Sequence, residues 1–155
     1  MKSYLEDRCF QVKIENDLSK LHQIRSGVPQ RSILGSLLYT IFTADIPILE
    51  DTFVATYADD TALLVINDDA DTASTRLQEQ LNTLQHWLKK CRIHINEQKS
   101  THITFTNKKI TCPPVYLNSE IIPNSNSVKY LGLILDSRLT WKVHQIVNTK
   151  ECTGL

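Results

Sequence analysis

Two apolar runs, residues 52–57 and 61–66, stand on either side of Ala58-Asp59-Asp60. The stretch between them is too short for anything but a tight reversal. The pair therefore predicts an antiparallel β-hairpin with an aspartate pair at or near its tip. Phe53, Ala55 and Tyr57 alternate along the first run and are expected to anchor one face of that hairpin. Adjacent acids raised on a rigid support toward an open face suit a hard divalent cation, which prefers carboxylate oxygen. Asp also favours turns on local grounds, so such a pair carries chemistry only in context.

The context is a mixture of helix and strand signals. Upstream, Phe10, Val12 and Ile14 alternate with polar residues as a half-buried strand would, and residues 26–30 read as a loop. A helix is expected from Ser32, with Ile33, Leu34, Leu37, Leu38, Ile41 and Phe42 on one apolar stripe and Pro47 closing it. Downstream, Asn67-Asp68-Asp69 caps a long helix whose core face is Ala70, Ala73, Leu77, Leu81, Leu84, Leu88 and Cys91. Lys89, Lys90 and Arg92 fall in its last turn, where cations suit the helix dipole. Thr101, Ile103 and Phe105 predict a strand, and Asn118-Ser119 the turn of a small hairpin. Residues 128–135 predict one further strand carrying Gly132, and an amphipathic segment starts near Thr140. The order of elements predicts an α+β fold, an antiparallel sheet with helices packed on one face.

Composition narrows the class. Of 155 residues 41% are hydrophobic and 22% charged, enough to build a core. No run approaches the roughly 18 apolar residues of a membrane span, so no membrane association is expected. Cys9, Cys91, Cys112 and Cys152 are scattered without metal-ligand spacing, which fits a reduced intracellular protein, nuclear or cytoplasmic. The zero net charge hides an asymmetry: residues 1–80 hold seven Lys/Arg against thirteen Asp/Glu, residues 81–155 ten against four. That pattern suits either segregated solvated faces or an acidic cation site followed by a basic track.

Five blocks, in order, resemble the reverse transcriptases of non-LTR (LINE-type, jockey-like) retrotransposons. They are Ser3-Tyr4-Leu5-Glu6-Asp7-Arg8 with Phe10; Gly27-Val28-Pro29-Gln30 with Ser32, Leu34 and Gly35, followed by Asp45-Ile46-Pro47; Tyr57-Ala58-Asp59-Asp60-Thr61; Trp87, Asn96 and Lys99-Ser100; and Lys129-Tyr130-Leu131-Gly132 with Asp136, Leu139, Thr140 and Trp141. The resemblance implies a polymerase palm over residues 1–141 and the start of a thumb over 142–155. It implies RNA-templated DNA synthesis with Mg²⁺ or Mn²⁺, and as partners an RNA template, a DNA primer and dNTPs. Asp59 and Asp60 would be the metal ligands, with Tyr57 and Ala58 beside the primer terminus. Gly27, Gln30 and Ser32 would lie near nucleotide and template. Lys99 would meet the triphosphate as a charge or general acid, and Tyr130, Leu131 and Gly132 would form the primer grip.

The same comparison brings expectations of incompleteness. The family's first metal-binding Asp has no counterpart here, nor have the fingers, and the thumb is only begun. Arg31 and Ser36 stand where the motif has Gly and Pro. The chain by itself is expected not to polymerise, and the sheet edge beside the aspartate hairpin to be open to pairing. The other function class is a non-catalytic remnant that binds RNA or a protein through its basic half, Lys89, Lys90 and Arg92 included.

Overall fold

The computed structural model describes residues 6–28 and 32–153, which divide into two compact units between Asp45 and Ile46. Ser3, Tyr4, Leu5, Pro29, Gln30 and Arg31 lie outside the described residues.

The first unit is a ribbon followed by a helix. Strands β1 (Cys9–Phe10) and β4 (His22–Gln23) pair antiparallel, and β2 (Lys13–Ile14) pairs with β3 (Asp17–Leu18). Two residues separate β1 from β2 while three separate β3 from β4, so the return strand carries one extra residue, a β-bulge. Ser19 occupies that bulge: its N–H donates to Val12 O at 2.9 Å and its hydroxyl accepts from Val12 N at 2.9 Å. The single half-buried strand expected over residues 10–14 is therefore corrected to a bulged ribbon, with Phe10, Val12 and Ile14 all exposed. The alternation reflects the ribbon's pleat, without a packed face. Helix α1 (Ile33–Phe42) follows, and Ser32 caps it, its hydroxyl accepting from Gly35 N at 2.9 Å. It ends at Thr43, whose N–H returns to Tyr39 O, several residues before Pro47. The expected apolar stripe is present but largely uncovered, with Leu38 half-buried and the others exposed, from Ile33 at 91% to Leu34 at 43%.

The second unit is organised by helix α2 (Ala70–Cys91). Asp69 caps it, accepting from Thr72 N at 2.8 Å and Thr72 Oγ1 at 2.6 Å. Arg92 closes it in the left-handed conformation, φ 57°, with Lys89 and Lys90 in the last turn. The expected core face is borne out: Leu81 and Leu84 are buried and Ala70, Ala73, Leu77, Leu88 and Cys91 half-buried. Leu81 joins Val115, Leu117 and Ile122 in the hydrophobic core, with Leu63, Leu77 and Ile95 packed against it. Full burial of such a side chain contributes about 1.5–3 kcal/mol.

The second unit also holds three hairpins, of which β5–β6 and β7–β8 pack on this helix. Strands β5 (Thr52–Tyr57) and β6 (Asp60–Val65) pair over their whole length, β7 (Tyr116–Leu117) pairs with β8 (Glu120–Ile121), and β9 (Ser127–Tyr130) with β10 (Leu133–Asp136). Asn118 and Ser119 both take positive φ, the type I′ pattern expected of this turn. Helix α3 (Lys142–Thr153) ends the described chain. The described residues thus hold five separate two-stranded antiparallel pairs and three α-helices. The mixed helix–strand class stands, and the single sheet is corrected.

Two further strands are corrected with it. Around Thr101, Ile103 and Phe105 there is only a parallel bridge, His102 to Asn124, because the backbone partners alternate between Pro123, Ser125 and Ser137. Residues 128–135 fold back on themselves, because Leu131 (φ 47°) and Gly132 (φ 82°) form a two-residue turn.

The Asp69 cap carries a pH dependence. The Thr72 hydroxyl and then the Thr72 N–H hold its carboxyl below the ordinary aspartate value of 3.8. A carboxyl with a lower pKa in the folded chain adds stability that is complete above that value and lost as pH falls through its lowered folded value. Asp69→Ala should speed amide exchange at Thr72 at neutral pH and flatten the loss of helical circular dichroism below pH 3.8. Unchanged exchange at Thr72 would contradict this role.

Candidate active site

The aspartate pair occupies the place that the sequence assigned to it. Tyr57 pairs with Asp60, leaving Ala58 and Asp59 as a two-residue loop. Ala58 has φ 51° and Asp59 is not among the positive-φ residues, the pattern of a type II′ rather than a type I′ turn. A glycine is usual at the first loop position, so alanine there holds a conformation that L-residues disfavour.

Tyr57, Ala58, Asp59 and Asp60 are all exposed, and no hydrogen bond or ion pair among the described residues engages either carboxylate. The acid that is paired is Asp51, at the base of the hairpin, 2.7 Å from Arg76.

Rigidity comes from below. Thr52 is buried, and its hydroxyl donates to Leu49 O at 2.7 Å. Gln80, fully enclosed on α2, accepts from Leu49 N at 2.9 Å and donates to Pro47 O at 2.8 Å, and its Oε1 lies 3.0 Å from Thr52 Oγ1, whose one hydrogen is shared with Leu49 O. One amide thus ties the helix to the chain entering β5. The face with Thr52, Val54, Leu63 and Val65 is the better covered one, Leu63 packing against the core. Phe53, Ala55 and Tyr57 do share a face, but it is the open one, with Phe53 58% and Tyr57 65% exposed. The expected anchoring by these three residues is corrected: the parity of the strand places Thr52, not Phe53, toward α2.

The remaining candidate residues lie at other places. Lys99 is exposed at the end of a 3₁₀ turn (Glu97–Lys99), its N–H held by Asn96 Oδ1 at 3.2 Å. Tyr130, Leu131 and Gly132 sit together at the tip of the β9–β10 hairpin. Gly132 forms no bulge and crowds nothing, since a Cβ there would meet no atom within 4 Å. Its φ alone demands glycine. Leu131 is the anomaly, because Asn-Gly is the preferred type I′ pair. Leu131→Asn should raise stability by about 0.5–1 kcal/mol, by the size of other conformational substitutions. Thermal unfolding would show it, and a lowered Tm would reject the turn argument.

No hydrogen bond or ion pair joins Lys99, the Tyr130–Gly132 tip and the Asp59–Asp60 tip among the described residues. Gly27 and Ser32 belong to the first unit. Gly27 has φ 80° and its carbonyl accepts from the Arg8 guanidinium, while Ser32 serves as the cap of α1. Gln30 lies outside the described residues. His94 is exposed, whereas burial holds half-buried His102 below its ordinary 6.5.

Asp59 and Asp60 offer hard oxygen donors, free of partners among the described residues, on a supported tip. They fit part of a divalent-cation site. They do not complete one, since no group of three His, Cys, Asp or Glu among the described residues could hold a metal ion. Nor is any helix long and apolar enough to cross a membrane, among the described residues.

Comparison with known proteins identifies the family of the chain. The family described as reverse transcriptase (RNA-dependent DNA polymerase) matches residues 1–135. The RNA-directed DNA polymerase from mobile element jockey of Drosophila melanogaster is 40% identical over 97% of this chain and 17% of its own length. The probable RNA-directed DNA polymerase from transposon BS of the same species is 41% identical over 98% of this chain and 18% of its own. The chain therefore spans less than a fifth of the length of these relatives. No solved structure matches it. The chain belongs to the reverse transcriptase (RNA-dependent DNA polymerase) family, among the polymerases of jockey-like non-LTR retrotransposons.

Proposed function

We propose that this chain is part of the catalytic palm of an RNA-directed DNA polymerase and that Asp59 and Asp60 are its cation-binding carboxylates. The observation that carries the reading is the β5–β6 tip. It sets two adjacent carboxylates, free of hydrogen bonds among the described residues, at the end of a ribbon fixed by Gln80. Membership of the family supports it, because that family as a whole requires divalent cations.

Two carboxylates do not fix two cations, and the family resemblance puts a further metal-binding Asp upstream of every block matched here. This is the reason for proposing that the 155 residues do not polymerise alone. Within the assembled site, Tyr57 and Ala58 would shape the surface beside the primer terminus, and the disfavoured φ of Ala58 would fix where Asp59 projects. RNA template, DNA primer and dNTPs would be the substrates, with Mg²⁺ or Mn²⁺ as the ion. The exposed Lys99 would supply positive charge toward the triphosphate. The Tyr130–Gly132 tip would be a second contact with the primer strand.

The test is primer extension on an RNA template with two proteins. One is the 155-residue chain, expected to be inactive. The other is a chimaera in which residues 1–155 replace the matching segment of the jockey polymerase, expected to extend the primer. Extension by the chimaera that survives combined Asp59→Asn and Asp60→Asn would overturn the assignment.

A further inference from the structure

A cavity of about 380 Å³ lies in the second unit and shares no residue with either hairpin tip. Three stretches of chain build it, residues 104–112, 124–126 and 137–138. Backbone bonds stitch these walls together: Thr106 N donates to Ser137 O, Ser137 N to Asn126 O, and Ser125 N to His102 O, each at 2.9 Å. The shape is therefore set by the fold and not by side-chain chance.

The lining is one-signed. Lys108, Lys109 and Arg138 border the cavity and no acid does. All three are exposed, and among the described residues none of their charged groups is engaged by an acid or another acceptor. Sequence places no Asp or Glu between Glu97 and Glu120, while Lys99, Lys108 and Lys109 fall there. The nearest acid along the chain, Asp136, is occupied elsewhere: its carboxylate accepts from Arg138 N, Thr140 N, Thr140 Oγ1 and Trp141 N. Hydroxyls and amides make up most of the remaining lining, among them Thr111, Asn124 and Asn126.

Three unpaired cations beside neutral donors are the groups that contact nucleic-acid phosphates, where Lys and Arg act with Ser, Thr and Asn. The cavity has no aromatic wall on which a base could stack. We propose that this cavity is a sequence-independent binding site for the phosphate backbone of a nucleic-acid strand, with Lys108, Lys109 and Arg138 as its contacts. It is independent of the catalytic reading of Asp59 and Asp60.

Fluorescence anisotropy of labelled single-stranded RNA with the full 155-residue chain, titrated over a range of salt, tests the proposal. Loss of three phosphate contacts should weaken binding by about 100-fold at 0.1 M salt and reduce the slope of log K against log[salt] by about 2. That result is expected for the triple variant Lys108→Gln, Lys109→Gln, Arg138→Gln, equally on two unrelated RNA sequences. Lys108→Arg, Lys109→Arg and Arg138→Lys together should preserve binding. An unchanged slope in the Gln variant would overturn the site. So would a loss confined to one RNA sequence, which means base readout. Equal binding of polyglutamate would refute nucleic-acid specificity, and binding of inorganic phosphate without RNA retention would reduce the site to one for small anions.

Discussion

Asp59→Asn should lower primer extension by the chimaera by about 10³-fold or more. The substitution keeps the shape of the side chain and a residue type that turns accept, so the β5–β6 tip should stay in place. It removes the charge and one hard oxygen donor. Loss of cation-borne stabilisation of transition-state charge is worth several kcal/mol, and about 4 kcal/mol corresponds to roughly a thousandfold in rate. Asp59 takes part in no internal hydrogen bond or ion pair among the described residues, so Tm should not move. Unchanged Tm with collapsed extension separates a ligand from a structural residue. A loss below tenfold would count against Asp59 as the principal ligand.

The largest structural effect is expected at Gln80. Gln80→Ala strands the Pro47 carbonyl and the Leu49 N–H, and it leaves a void at a site with no solvent access, while the Thr52 hydroxyl keeps Leu49 O as its acceptor. Unmet buried polar groups cost about 1–3 kcal/mol each, and the total here should be about 3–5 kcal/mol once partial relaxation is allowed. That is a large share of the roughly 5–15 kcal/mol that holds a typical domain. Urea unfolding measures it directly, as a lowered midpoint. Gln80→Leu fills most of the volume but strands the same groups, so it should recover only the cavity part of the loss. If Gln80→Leu were as stable as the parent, the hydrogen bonds would not be the cause.

The contrast between what sequence revealed and what it did not follows from the range of the interactions involved. The aspartate tip, the Asp69 cap, the core face of α2 and the Asn118-Ser119 turn are local, each set by residues within a turn or two of one another. Those were legible. Gln80 was not, because its partners lie 28 to 33 residues earlier and a polar residue on a helix reads as solvated. Its signal was its position, three after Leu77 and four before Leu84 on the buried side. The strand over residues 128–135 failed for a different reason. Leu131 gives no turn signal, and Gly132 alone did not distinguish a bulge from a reversal. The assumed single sheet failed because period-two alternation reports pleating, and in short ribbons pleating does not require a neighbour on either side. The phosphate cavity had only a thin trace, a lysine pair in an acid-free stretch. Arg138 joins it through backbone bonds that no local pattern announces.

Gln78 has a consequence of another kind. Its amide accepts from Tyr116 N at 2.7 Å and donates to Tyr116 O at 3.0 Å, imitating a peptide group of a neighbouring strand. These are the outward-facing groups of β7, since Tyr116 opposes Ile121 one step beyond the pair that closes the turn. A free strand edge is a template on which another chain can polymerise into a fibre. At β7 that template is already filled by a side chain borrowed from α2, so a hairpin only two residues deep on each side can stand alone without recruiting a copy of itself.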